Sequence, residues 1–115
     1  MTIAVIQTHA PTHLRSWHGQ DALLSLASLD LNPQLIIVAD AVQHLRHGAD
    51  VQRQQRSLQK RYRLLQLYDC PKPWLLESDL KQLGLTTDDF VVAIEILTAD
   101  ELQQRLAECH QVLRF

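Results

Sequence analysis

A chain of 115 residues, 46% hydrophobic and 21% charged, has the make-up of an ordinary globular protein and fits one domain over residues 1–115. Its formal net charge of −2 gives no general pull toward nucleic acid or a membrane, and no apolar run reaches the ~18 residues needed to cross a bilayer. Two cysteines, with no basic leader before the first apolar run, fit reduced thiols in a cytoplasmic protein better than a disulfide framework.

Five short apolar runs mark the chain: Ile3–Ile6, Leu35–Ala39, Trp74–Leu76, Phe90–Ile94 and Val112–Phe115. Most are continuous rather than alternating, the pattern of strands covered on both faces, and therefore of a parallel sheet. Between the first two, Ala22-Leu23-Leu24 with Leu26-Ala27 forms a helical stripe. Leu58, Tyr62 and Leu65 form another before the third run. The run Trp74-Leu75-Leu76 follows Pro71-Lys72-Pro73 and leads into a helix that ends at Gly84. Thr98-Ala99-Asp100-Glu101 has the spacing of a capping box, after which Leu102, Leu106 and Cys109 share a face. Strand and helix alternate, which predicts a doubly wound, three-layer α/β/α sandwich.

Charge is unevenly spread. Residues 46–63 hold Arg46, Arg53, Arg56, Lys60, Arg61 and Arg63 against one acid, Asp50, whereas eight acids and three bases lie from Glu77 onward. The basic segment suits a partner-facing or tRNA-facing surface built from Arg53, Arg56, Lys60, Arg61 and Arg63. The plainer reading is the solvated face of an amphipathic helix.

Several chemistries lack their motifs. The three glycines form no phosphate-cradling turn after a strand, so a Walker A loop and a dinucleotide fingerprint are absent, and no cofactor is implied. There is no Gly-x-Ser-x-Gly nucleophile elbow. His9, His13 and His18 follow the first run and His44 and His47 the second, toward the carboxyl edge of the expected sheet. Without a helical HxxxH and a carboxylate at the right offset, they read as exposed or hydrogen-bonding histidines rather than metal ligands. Cys109 reads as a small buried hydrophobe on the last helix. Cys70, in Tyr68-Asp69-Cys70-Pro71, reads as a loop thiol, with Asp69 and Lys72 acting on it in opposite senses.

The order and spacing of several fragments resemble a known family. These are Ala10-Pro11, Gly19-x-Asp21-Ala22-Leu23-Leu24, Ile37-Val38-Ala39-Asp40-Ala41-Val42, Leu65-x-Leu67-Tyr68-Asp69, Leu80-x-x-x-Gly84-Leu85, Phe90-Val91-Val92 and Val112-Leu113-Arg114-Phe115. Together they resemble the small α/β sulfur-relay proteins of the DsrE/DsrF-like family, and within it the TusC or DsrF type of subunit. The resemblance implies a five-stranded parallel sheet between helices. It also implies assembly with TusB-like and TusD-like subunits into a heterohexamer that passes persulfide sulfur toward 2-thiouridine at the tRNA wobble position. In sulfur-oxidising bacteria the related complex serves sulfur trafficking instead.

In the TusD-like or DsrE-like subunit, the sulfur-carrying cysteine lies near the end of the third strand. The matching position here, counted back from Gly84 through Leu80, is Leu76, which cannot hold a persulfide. The resemblance therefore implies a non-catalytic subunit. Small parallel-sheet domains expose edge strands and apolar helix faces that assembly covers, so the isolated chain is expected to self-associate. The alternatives are a DsrF-type subunit in sulfur oxidation and a stand-alone thiol carrier using Cys70.

Overall fold

The computed structural model describes residues 2–115. Its main sheet is formed by β1 (Ile3–Gln7), β2 (Gln34–Ile37), β5 (Trp74–Leu76), β6 (Glu95–Leu97) and β7 (Gln111–Arg114). Two short strands, β3 (Gln52–Arg53) and β4 (Arg56–Ser57), form a separate antiparallel hairpin. The helices are α1 (Leu14–Ser28), α2 (Leu58–Tyr62), α3 (Leu64–Leu67), α4 (Glu77–Leu83) and α5 (Ala99–Ala107), with a 3-10 helix over Ala39–Leu45.

All five strands of the main sheet run parallel in the order β6-β5-β2-β1-β7. This order dictates the layering. The chain steps from β1 to β2, β5 and β6 in one direction, so right-handed crossovers put α1 to α4 on one face. The return from β6 to β7 runs the other way and carries α5 to the opposite face. The core divides accordingly. Val5, Leu35, Ile37 and Leu75 pack with Leu23, Leu58, Tyr62, Leu65 and Leu80, while Ala4, Ile6 and Ile36 pack with Leu102, Leu106 and Cys109. The alternation within β1 and β2 follows from the two-residue period of a strand.

Burial explains the continuous apolar runs. Every residue of β1 and β2 is buried, and fully burying a leucine or isoleucine contributes roughly 1.5–3 kcal/mol. At the start of α5, the Thr98 hydroxyl accepts from the Glu101 N–H and the Glu101 carboxylate from the Thr98 N–H, both at 3.2 Å. Gly84 ends α4 in the left-handed region at φ 67°, where a side chain is strained.

Two expectations are corrected. The fourth strand is Glu95–Leu97 rather than Phe90–Ile94. Phe90 is instead a buried plug, bridged to Arg46, while the Val91 N–H donates to the Leu45 carbonyl at 2.8 Å. A hydrophobic anchor in a loop has the same apolar signature as a short strand. The basic segment is not one helix either, because Arg53 and Arg56 lie on the β3–β4 hairpin and only Lys60 and Arg61 on α2. The alternating α/β order and the parallel sheet are as the sequence predicts.

Gly19 faces Gln7 so closely that a Cβ there would lie 2.6 Å from the Gln7 amide. Gln7 is fully buried and cannot swing aside. Gly19→Ala should therefore destabilise the fold by about 1–3 kcal/mol. In urea unfolding the loss should be strongly non-additive with Gln7→Ala; simple additivity would show that the two do not meet.

Candidate functional site

The carboxyl edge of the sheet is where an open α/β fold presents its reactive groups. Leu76 closes β5 and is the N-cap residue of α4, at φ −85° and ψ 133°, with no side-chain cap of its own. A side chain here stands beside unpaired backbone N–H groups, a setting that favours a thiolate. The half-buried leucine offers none.

Beside it, α4 and the segment after β2 enclose a crevice of about 300 Å³ lined by Ala10, Ala39, Asp40, Gln43, Asp79 and Gln82. Ala39 adopts φ 53°, an uncommon conformation for a residue with a Cβ, and its N–H donates to the Asp79 carboxylate at 2.9 Å. Neither cysteine lines this crevice.

Both thiols lie elsewhere and are held protonated. Cys70 follows α3, its N–H donating to the Leu65 carbonyl at 3.0 Å, and lines a cavity of about 80 Å³ with Leu45, Tyr62, Leu65 and Val92. That position is before β5, at the end opposite Leu76. Burial pushes the thiol pKa up, and the neighbouring Asp69 charge adds to the rise. Cys109 lies just past α5, where Sγ donates to the Arg105 carbonyl at 3.4 Å. Burial, then Glu108, raises its pKa as well.

The histidines do not converge. His13 caps α1 by accepting from the Arg15 N–H at 3.1 Å, and its ring stacks near His9 with centroids 4.3 Å apart. His18 and His47 are exposed. Among the described residues, no group of three or more His, Cys, Asp or Glu is placed to hold a metal ion.

His44 differs in being fully buried. Its Nε2 faces the His9 carbonyl at 2.9 Å and the Ser16 hydroxyl at 3.1 Å. A carbonyl can only accept, so Nε2 carries the proton and Nδ1 accepts from the Tyr62 hydroxyl at 2.6 Å. The Gln7 amide donates to the Ser16 carbonyl at 3.0 Å and reaches the Tyr62 hydroxyl at 3.4 Å. Sequence reasoning missed this network. Its visible signals were a glutamine ending an otherwise apolar strand and a tyrosine on a helical core stripe.

The five basic residues expected to share one surface separate into two groups. Arg53, Arg56 and Arg61 line a single cleft with His18 and Asp21. Lys60 and Arg63 are exposed outside it. Arg61 is ion-paired with Asp21 and stacks 5.8 Å from the Trp17 ring centroid.

A family model described as the DsrE/DsrF-like family matches residues 1–115. The chain belongs to the DsrE/DsrF-like family. Among its relatives, Protein TusC of Escherichia coli is 35% identical over 102 residues, covering 84% of this chain and 83% of that protein. A Protein TusC homolog of Vibrio vulnificus is 28% identical over 115 residues, covering 96% and 95%. The fold is also that of the ychN protein from Escherichia coli, with a TM-score of 0.84 at 22% identity over 100% of this chain and 99% of that one. In this family fold, no helix among the described residues is long and apolar enough to cross a membrane.

Burial holds the His44 pKa down at about 4, from an ordinary 6.5, the carbonyl of His9 opposing only part of that shift. The unfolded chain thus binds more protons between these values, so this stability is complete above pH 6.5 and is lost as pH falls toward 4. The loss should be on the order of 3 kcal/mol. Urea unfolding against pH should show that slope in the native chain and a flatter one in His44→Gln. Tyr62→Phe should cost about 1–3 kcal/mol at pH 7 by leaving Nδ1 buried without a donor. Unchanged unfolding would remove the bond from the account.

Proposed function

We propose that this chain is a non-catalytic, interface-forming subunit of a sulfur-relay complex. The observation that carries the reading is Leu76, which stands at the strand-to-helix junction where the resemblance places a carrier cysteine. Sulfur relay by persulfide needs an accessible thiolate, and both thiols of this chain have raised pKa values away from that junction. Family membership and the TusC relatives support the assignment. The finer reading is a cytoplasmic heterohexamer with TusB-like and TusD-like partners that serves 2-thiouridine formation at the tRNA wobble position.

Exposed apolar side chains support an assembly role. Leu64, Leu67 and Tyr68 form an exposed cluster along and just after α3, and the edge strands present Ile96 and Val112. Uncovered edges and apolar patches favour association. Alone, the chain should therefore self-associate; a monomer by light scattering at high concentration would oppose this.

Co-expression with TusB-like and TusD-like proteins should give a complex that survives size exclusion, and recovery of this chain alone would sink the assembly. Within that complex, Cys70→Ser and Cys109→Ser should leave the rate of sulfur transfer unchanged. A collapse of transfer with Cys70→Ser, in a complex that still assembles, would instead assign the carrier role to Cys70.

A further inference from the structure

We infer that the cleft between α1 and the β3–β4 hairpin is a binding site for a phosphate group. It has a volume of about 220 Å³ and is lined by Trp17, His18 and Asp21 of α1, Arg53 and Arg56 of the hairpin, and Arg61 of α2. This inference does not depend on the relay reading.

The charge in the cleft is uncompensated. Among the described residues, the ion pairs are Arg61–Asp21, Lys81–Glu77 and Arg105–Glu95, so neither Arg53 nor Arg56 has a carboxylate partner. The one acid of the basic segment is turned away. Asp50 accepts from the Ser57 hydroxyl at 2.7 and 2.6 Å and from the Gln59 N–H at 3.2 Å, anchoring the base of the hairpin. With Asp21 matched by Arg61, two unpaired guanidinium charges remain, those of Arg53 and Arg56.

The backbone keeps those two charges together. Arg53 and Arg56 are paired directly across the hairpin, so their side chains leave the same face. Like charges in that relation destabilise a hairpin. The turn that joins them also has an uncommon form. Gln54 at φ 53° and Gln55 at φ 67° hold positive values usually given to Asn-Gly. A phosphate dianion between the guanidinium forks turns the repulsion into attraction, and arginine matches phosphate through two parallel N–H donors. Arg61 is already oriented by Asp21 and by the Trp17 ring, so the floor of the cleft is preformed.

The test uses the whole chain, titrated with inorganic phosphate and, separately, with single-stranded oligouridylate, following the Trp17 indole and arginine Nε–H signals by NMR. Shifts should concentrate on the cleft. Arg53→Gln and Arg56→Gln should each weaken binding about tenfold, as expected for loss of a charged hydrogen bond. Lys60→Gln and Arg63→Gln remove equal charge outside the cleft and should change it little. Equal per-phosphate affinity for the two probes identifies a free phosphate ligand. Tighter, steeply salt-dependent RNA binding that Arg53→Gln weakens identifies a nucleic-acid phosphate. No cleft-centred shift with either probe, or equal weakening by the Lys60 and Arg63 variants, overturns the inference. A thermal melt of each variant confirms that it is folded, so a lost signal is a lost site.

Discussion

The 2.6 Å hydrogen bond from the Tyr62 hydroxyl to His44 Nδ1 is the tie on which one face of the molecule depends. It joins α2 to the 3-10 helix after β2, and through Gln7 and Ser16 it reaches β1 and α1. These elements meet where apolar packing alone specifies position poorly, because leucines and isoleucines tolerate small slides. A buried polar network tolerates none, since each displaced donor costs its full desolvation. Gly19 belongs to the same arrangement: only a residue without a Cβ lets α1 approach the Gln7 amide. The network also removes His44 and Tyr62 from chemistry, because burial disfavours the charged form of each.

Much of this fold was legible in the sequence because it is written in two regular periods. Continuous apolar runs identified β1, β2, β5 and β7, and Thr98 with Glu101 marked the start of α5. What escaped depended on tertiary contacts. Phe90 has a strand's composition but fills a hole in the core, and β6 begins only at Glu95, whose N–H reaches the Pro73 carbonyl. The β3–β4 hairpin escaped because its turn is Gln54-Gln55, with neither the asparagine nor the glycine that normally announces such a turn. At the candidate site, the placement of Leu76 at a strand end could be read from spacing. The separation of Arg53, Arg56 and Arg61 from Lys60 and Arg63 could not, because it follows from the hairpin.

Leu76 and Cys70 lie at opposite ends of β5. At the strand-to-helix junction, Leu76 takes the extended N-cap backbone of α4 but brings no polar atom to its unpaired N–H groups. The surface offers exposed leucines along α3 and a cleft holding two arginines without carboxylate partners.

The place of β7 has a consequence for how the chain comes to be folded. β7 pairs with β1, and the His110 N–H donates to the Thr2 carbonyl at a separation of 108 positions in sequence. Until those late residues are available, β1 has a bare edge and Ala4, Ile6 and Ile36 have no α5 over them. Contacts of such long range are slow to form, because loop-closure entropy is lost before any packing is gained. A chain emerging from the ribosome therefore completes the α1 side first and carries an open, sticky sheet face until α5 and β7 have been made. In that interval its apolar face is most open to aggregation.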